Sequence, residues 1–155
     1  MARDMDDLDR RILEAAQRGL PLDPAPYARL AEEVGSDEAE VFTRITALLD
    51  AGTIRRLAAS FDSRRLGQTA TLVALRLPPD RLAEVAALVN RYPEVTHNYE
   101  RADPWNLWFA VIARDAARLQ EILAQIRRDA ALDPSDLMDL PVERLFKIDV
   151  QFPTR

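Results

Sequence analysis

The chain contains no cysteine, which excludes disulfides, thiolate zinc sites and iron–sulfur ligation. Its single histidine cannot build a multi-histidine metal centre alone, so any metal at such a site has to arrive inside a ligand. Lysine is nearly missing: Lys147 apart, every basic side chain is an arginine. Positive charge is therefore presented as planar forks that suit carboxylates. No apolar run approaches the ~20 residues needed to cross a bilayer. The opening MARDMDDLDRR is too polar for a secretory leader, and the expected compartment is the cytoplasm, with no membrane contact. What remains is a chain of 155 residues, 48% hydrophobic and 30% charged, enough to bury a core of ordinary size. A net charge of −5 opposes nonspecific attraction to nucleic-acid phosphates.

The hydrophobic period divides the chain in two. Met5, Leu8, Ile12, Leu13 and Ala16 recur at helical spacing before Gly19. Tyr27 to Val34 predicts a second helix stopped by Gly35, and Ser36 is placed as the cap of a third over Asp37 to Ala51. TIRRLAASFDSRRLG then reads as a two-stranded wing, giving a winged helix-turn-helix domain over residues 1–66. From Thr69 the period shortens. TATLVALRL, Val95 to Arg101, Trp105 to Ala113 and Leu145 to Phe152 read as strands, with helices from Asp80 to Tyr92 and from Asp115 to Ala131. That order, βαββαβ, defines an α+β chain whose second domain, residues 67–155, is ferredoxin-like. Such a sheet carries helices on one face only, and its open face predicts dimerisation.

The third helix does not read as a DNA reader. A recognition helix presents basic or amide groups near its N-terminus, whereas this one begins Ser36-Asp37-Glu38-Ala39-Glu40, with Arg44 the lone counterweight. DNA is not an expected partner. Arg55, Arg56, Arg64 and Arg65 on the wing are available to an anionic ligand or simply solvated.

The scarcest residues converge on thirteen positions, HNYERADPWNLWF from His97 to Phe109, which hold the only histidine and both tryptophans. Strand alternation points His97, Tyr99 and Arg101 to one face and Asn98 and Glu100 to the other. On the next strand Trp105, Leu107 and Phe109 share one face, and Asn106, Trp108 and Ala110 the opposite one. Indole planes beside a guanidinium and an imidazole suit a large flat anion, such as a macrocycle bearing carboxylates. A structural reading competes: a hydrogen-bonded His97, Trp108 and Phe109 partly in the core, Tyr99 in a dimer interface.

The segments LDRRILEAAQRGLPL, IRRLAASFDSRRLG, VTHNYERADPWNLWF and LPVERLFKIDVQF span nearly the whole chain. With them it resembles the sirohaem decarboxylases, AsnC/Lrp-like proteins of haem d1 and alternative haem biosynthesis. The specific part is His-Asn-Tyr-x-Arg followed by Asn-x-Trp-Phe. The resemblance implies nonoxidative loss of carbon dioxide from the C12 and C18 acetates of sirohaem, giving 12,18-didecarboxysirohaem. It implies that His97 is an active-site proton donor or a ligand to the substrate's iron, and that Arg101 neutralises a substrate carboxylate. Tyr99, Asn98 and Asn106 would orient groups around it, Trp105 and Trp108 would flank the ring, and Arg55, Arg56, Arg64 and Arg65 would serve other carboxylates. No cofactor or protein-held metal is required, since iron comes with the substrate.

Several family members carry a second histidine where this chain has Asp103, and a tyrosine is common at Trp105. The family works as heteromeric or fused pairs, so the implied partner is a homologous subunit, with a homodimer as the other arrangement. Two further functions stay open: an AsnC/Lrp-type transcriptional regulator, and a haem-binding protein without catalysis.

Overall fold

The computed structural model describes residues 5–148 and 150–154. They form two compact units, the first comprising Met1–Ala59 and Lys147–Arg155 and the second Ser60–Phe146.

The first unit holds three helices. Helix α1 (Asp7–Gln17) opens with a capping box: the Asp9 N–H donates to the Asp6 carboxylate at 2.9 Å and the Asp6 N–H to Asp9 at 3.3 Å. Helix α2 (Pro26–Val34) starts on a proline, which lacks only an N–H the first turn cannot use. It ends at Gly35, whose φ of 67° is the left-handed conformation glycine adopts without a Cβ clash. Helix α3 (Glu38–Asp50) is capped by Asp37, whose carboxylate accepts from the Glu40 N–H at 2.9 Å. The cap expected at Ser36 is displaced by one residue because the Ser36 N–H closes the end of α2 on the Ala31 carbonyl. Ile12, Ala15, Leu30, Ala31, Val34, Val41 and Ile45 form the core, so each helix contributes one stripe.

One expected strand pair and one expected single strand are absent among the described residues. The wing segment from Thr53 to Gln68 contains no strand. Instead, Asp62 accepts from the Arg64 N–H at 3.0 Å and Ser63 to Gly67 turn tightly, while Phe61 and Leu66 remain exposed. An Ala-Ala-Ser stretch flanked by arginines offers no apolar face to fix a register. The strand expected over Leu145 to Phe152 is likewise not formed among its described residues. There the Gln17 side chain brackets Phe152, donating to its carbonyl at 3.0 Å and accepting from its N–H at 2.6 Å. That contact places the tail in the first unit rather than in the domain beginning at residue 67.

The second unit is βαββαβ, as read from the periodicity, with a different last strand. Strands β1 (Thr69–Leu75), β2 (Val95–Glu100), β3 (Leu107–Ala113) and β4 (Leu137–Pro141) form an antiparallel sheet in the order β2-β3-β1-β4. The fourth strand is LMDLP, whose central aspartate disguised it. Asp139 accepts from the Thr71 hydroxyl at 2.5 Å and from Gln120 at 3.1 Å, so both of its carboxylate oxygens are hydrogen-bonded. Helices α4 (Leu82–Val89) and α5 (Ala116–Asp129) cover one face. Val85, Val89, Leu119, Ile122 and Ile126 meet Val73, Leu75, Leu107, Phe109 and Val111 there. The other face carries no helix of this unit, and Leu72, Tyr99 and Leu140 stay exposed on it.

Candidate active site

A β-bulge decides which way the hairpin chemistry faces. Val95 pairs with Val111, but His97 pairs with Ala110, Asn98 with Phe109, Tyr99 with Trp108 and Glu100 with Leu107. Thr96 is therefore an extra residue on β2. Uninterrupted alternation from Val95, which packs on the core, would set His97 opposite the buried Phe109. The bulge exchanges the two faces beyond Thr96. His97 and Tyr99 thus emerge on the open face, beside Trp108 and Ala110.

Four residues named from the sequence meet there. The His97 and Tyr99 rings are nearly parallel, with centroids 6.0 Å apart and an interplanar angle of 27°. The Arg101 guanidinium lies over the Trp108 ring, 5.2 Å from its centroid. The His97 Nδ1 sits 3.0 Å from the Thr96 hydroxyl, which leaves Nε2 as the nitrogen available to a ligand. Trp108 donates its indole N–H to the Trp105 carbonyl at 2.5 Å, locking the hairpin tip against β3. Asp103 accepts from the Trp105 N–H at 2.9 Å and shapes the turn.

The two asparagines occupy other positions. The Asn98 amide donates to the Ala86 carbonyl and to Asn90 at 3.2 and 2.9 Å, on the helix-covered side, where its oxygen is buried without a partner. Asn106 accepts from the Leu77 N–H at 3.0 Å and donates to the Leu77 carbonyl at 2.8 Å, standing in for a strand partner where β1 ends. Both amides are engaged in fixing the hairpin. Two of the wing arginines, Arg64 and Arg65, are apart from the open face. Arg64 and Arg65 pair with Asp62 at the turn before β1, the end of that strand beside Ala113 and away from the hairpin tip. Arg55 and Arg56 are exposed in the first unit.

One arginine escaped the sequence reading. Arg76 follows β1 on the same face as Leu72 and Ala74, and its guanidinium lies 5.4 Å from the centroid of Trp105. The signal was its parity with Ala74, which pairs with Trp108, but that pairing is not visible before the sheet forms.

Comparison with known proteins matches this architecture. Residues 65–147 fit the family described as "AsnC-like ligand binding domain", and residues 9–55 that described as "Siroheme decarboxylase NirDL-like HTH domain". The "Siroheme decarboxylase NirD subunit" of Pseudomonas aeruginosa is 43% identical over 149 residues, covering 96% of this chain and 97% of that one. The chain belongs to the sirohaem decarboxylase family. Within that family, the NirDL subunit of Paracoccus denitrificans is 44% identical over 96% of this chain, which spans 45% of that longer protein. A crystal structure of the sirohaem decarboxylase NirDL in complex with an iron-uroporphyrin III analogue superposes with a TM-score of 0.73 at 32% identity. It covers 94% of this chain and 48% of its own, so the chain spans about half the length of the two NirDL proteins. Membership of the sirohaem decarboxylases agrees with the fold, an N-terminal helix-turn-helix followed by an AsnC-type sheet domain.

Proposed function

We propose that this chain is a sirohaem decarboxylase subunit of the cytoplasm, a carbon–carbon lyase that removes the C12 and C18 acetate carboxylates of sirohaem to give 12,18-didecarboxysirohaem. The observation that carries the reading is the bulge-directed cluster on the open sheet face, with an imidazole, a phenol, an indole and a guanidinium within one strand pair. A relative of the same fold holds an iron tetrapyrrole analogue.

The chemistry follows from charge. The bond between the acetate methylene and its carboxylate breaks, carbon dioxide leaves, and the electron pair delocalises from the methylene carbon into the macrocycle. A proton then completes the methyl group. His97 Nε2 is the donor in this reading, with Thr96 holding the ring through Nδ1. Imidazole is suited to that step because its charge changes nearest neutral pH. Arg101 binds a carboxylate from its position over Trp108. It must not hold the reacting carboxylate too firmly, since equal stabilisation of ground and transition states gives binding without rate. No resident cofactor enters, because the iron belongs to the substrate.

The partner in this reading is a homologous subunit, seated over the exposed residues Leu72, Tyr99 and Leu140 and supplying the second proton donor or the iron ligand, in place of the histidine that other family members carry where this chain has Asp103. A homodimer is the other arrangement. DNA reading is disfavoured by Arg44, whose guanidinium contacts Asp6, Asp9 and Glu40 at 2.6, 3.1 and 2.5 Å. The recognition helix thus has its one arginine already neutralised.

Anaerobic incubation of the chain with sirohaem, alone and with a homologous subunit, tests the proposal by mass spectrometry. Loss of one or two molecules of carbon dioxide is expected. Binding with an unchanged macrocycle in every combination would instead make this a haem-binding protein.

A further inference from the structure

The open face carries a second arginine–tryptophan stack beyond the four motif residues that meet there. Arg101 and Arg76 flank the hairpin strand at the same end of the sheet. The Arg101 N–H bonds the Asn106 carbonyl, and Asn106 in turn brackets Leu77, the residue after Arg76. Each guanidinium lies over a different indole, Arg101 over Trp108 and Arg76 over Trp105, at 5.2 and 5.4 Å. The Trp108 indole N–H donates to the backbone carbonyl of Trp105, so the two stacks share one hydrogen-bonded hairpin tip. β1 and β2 lie on either side of β3, so the backbones carrying the two arginines are roughly 10 Å apart, two strand spacings.

We propose that Arg76 is a second carboxylate-anchoring residue of this site, holding a different carboxylate of the tetrapyrrole from the one Arg101 takes. Three observations support it. The Arg76 side chain is half exposed, and its Nε donates to Asp136 at 2.8 Å while the Arg76 N–H bonds the Asp136 carbonyl at 3.0 Å. The guanidinium is thereby oriented at one edge, with Nη2 also reaching the Ser135 carbonyl at 3.5 Å, and the N–H donors of Nη1 remain for a ligand. The two forks rest on different indoles and come from strands on opposite sides of β3, which suits two carboxylates better than one. A ligand engaging both must carry at least two anionic arms on a scaffold wide enough to span the hairpin tip. That excludes amino acids and other small monoanions and matches a polycarboxylate macrocycle. The inference rests on the proposed function for the ligand's identity, while the geometry alone sets the number and spacing of its charges.

The competing role for Arg76 is structural, as the ion pair that ties the start of β4 to β1. Two substitutions separate them. Arg76→Met removes the fork while keeping much of the stem. Asp136→Asn removes the competing charge but keeps an oxygen acceptor for Nε. Sirohaem is titrated against each variant by visible absorption at fixed ionic strength, with the homologous subunit present if the wild type requires it, and thermal unfolding is recorded in parallel. Arg76→Met is expected to bind at least tenfold more weakly, and Asp136→Asn more tightly than the wild type. Arg76→Met binding like the wild type, or both variants weakening alike, would overturn the assignment. Turnover is read separately in the wild type: tight binding with no loss of carbon dioxide defeats the decarboxylase reading and leaves Arg76 judged by its own binding change. Failure of the wild type to bind sirohaem defeats both.

Discussion

Arg44 and Arg101 are the same residue type in opposite settings. On α3, Arg44 is surrounded by three carboxylates, one of them the buried Asp9, so its charge is satisfied within the first unit. On the hairpin, Arg101 rests against the uncharged face of Trp108 and makes no ion pair among the described residues. A guanidinium over an indole keeps its N–H edge and its net charge for an incoming anion. The difference shows that arginine content alone does not locate an anion site. What matters is whether the neighbouring element supplies acid or aromatic surface.

The comparison is open to attack at several points. The largest expected effect is on His97: His97→Ala should lower turnover by about 10²–10⁴-fold, the usual size for loss of a general acid, with the circular dichroism spectrum unchanged. Normal turnover in a folded variant would remove histidine from the chemistry. Arg101→Ala comes next, raising KM for sirohaem by about ten- to a hundredfold while kcat changes less. Thr96→Ala, which deletes only the hydroxyl beside Nδ1, should reduce kcat by about tenfold and leave KM near its original value. Steady-state kinetics on the pair distinguish anchoring from proton delivery.

Arg44 should behave in the reverse manner. Arg44→Ala leaves sirohaem affinity unaltered but lowers the unfolding midpoint by about 5 °C, because the carboxylate of Asp9 stays buried with less compensation. Acid adds a smaller, directional effect. The Arg44 hydrogen bond to Asp6 holds that carboxyl below its ordinary range. Its contribution to stability is therefore complete above about pH 4, the unfolded value, and is lost as pH falls through the lowered folded value. The variant should show a shallower acid transition, measurable by fluorescence. If Arg44→Ala instead impaired sirohaem binding, the contrast between the two arginines would collapse.

Much of this was legible along the chain. Helical spacing located α1, α2 and α3, and the alternation of LWFAVIA located β3, because those segments bury one face and the pattern follows the backbone period. The wing was overread from its arginines and turn residues, since strand formation needs a partner with a fixed register. The last strand was placed too late because LFKIDVQF alternates more clearly than LMDLP, although Asp139 of the latter finds Thr71 and Gln120 only in three dimensions. The amides of Asn98 and Asn106 bond Ala86, Asn90 and Leu77, partners that only the folded chain brings near. An asparagine in a motif gives no indication whether its amide faces a ligand or another stretch of backbone.

The sequence by itself determined that His97, Tyr99 and Arg101 share a side, because side chains on one strand alternate by covalent geometry. Only the tertiary structure decided which side. The surplus residue at Thr96 shifts the pairing of β2 on β3, turning that trio away from the buried Phe109 and towards Trp108. Register is a relation between segments distant in the chain, set by which faces pack on α4 and α5, and no single strand contains it.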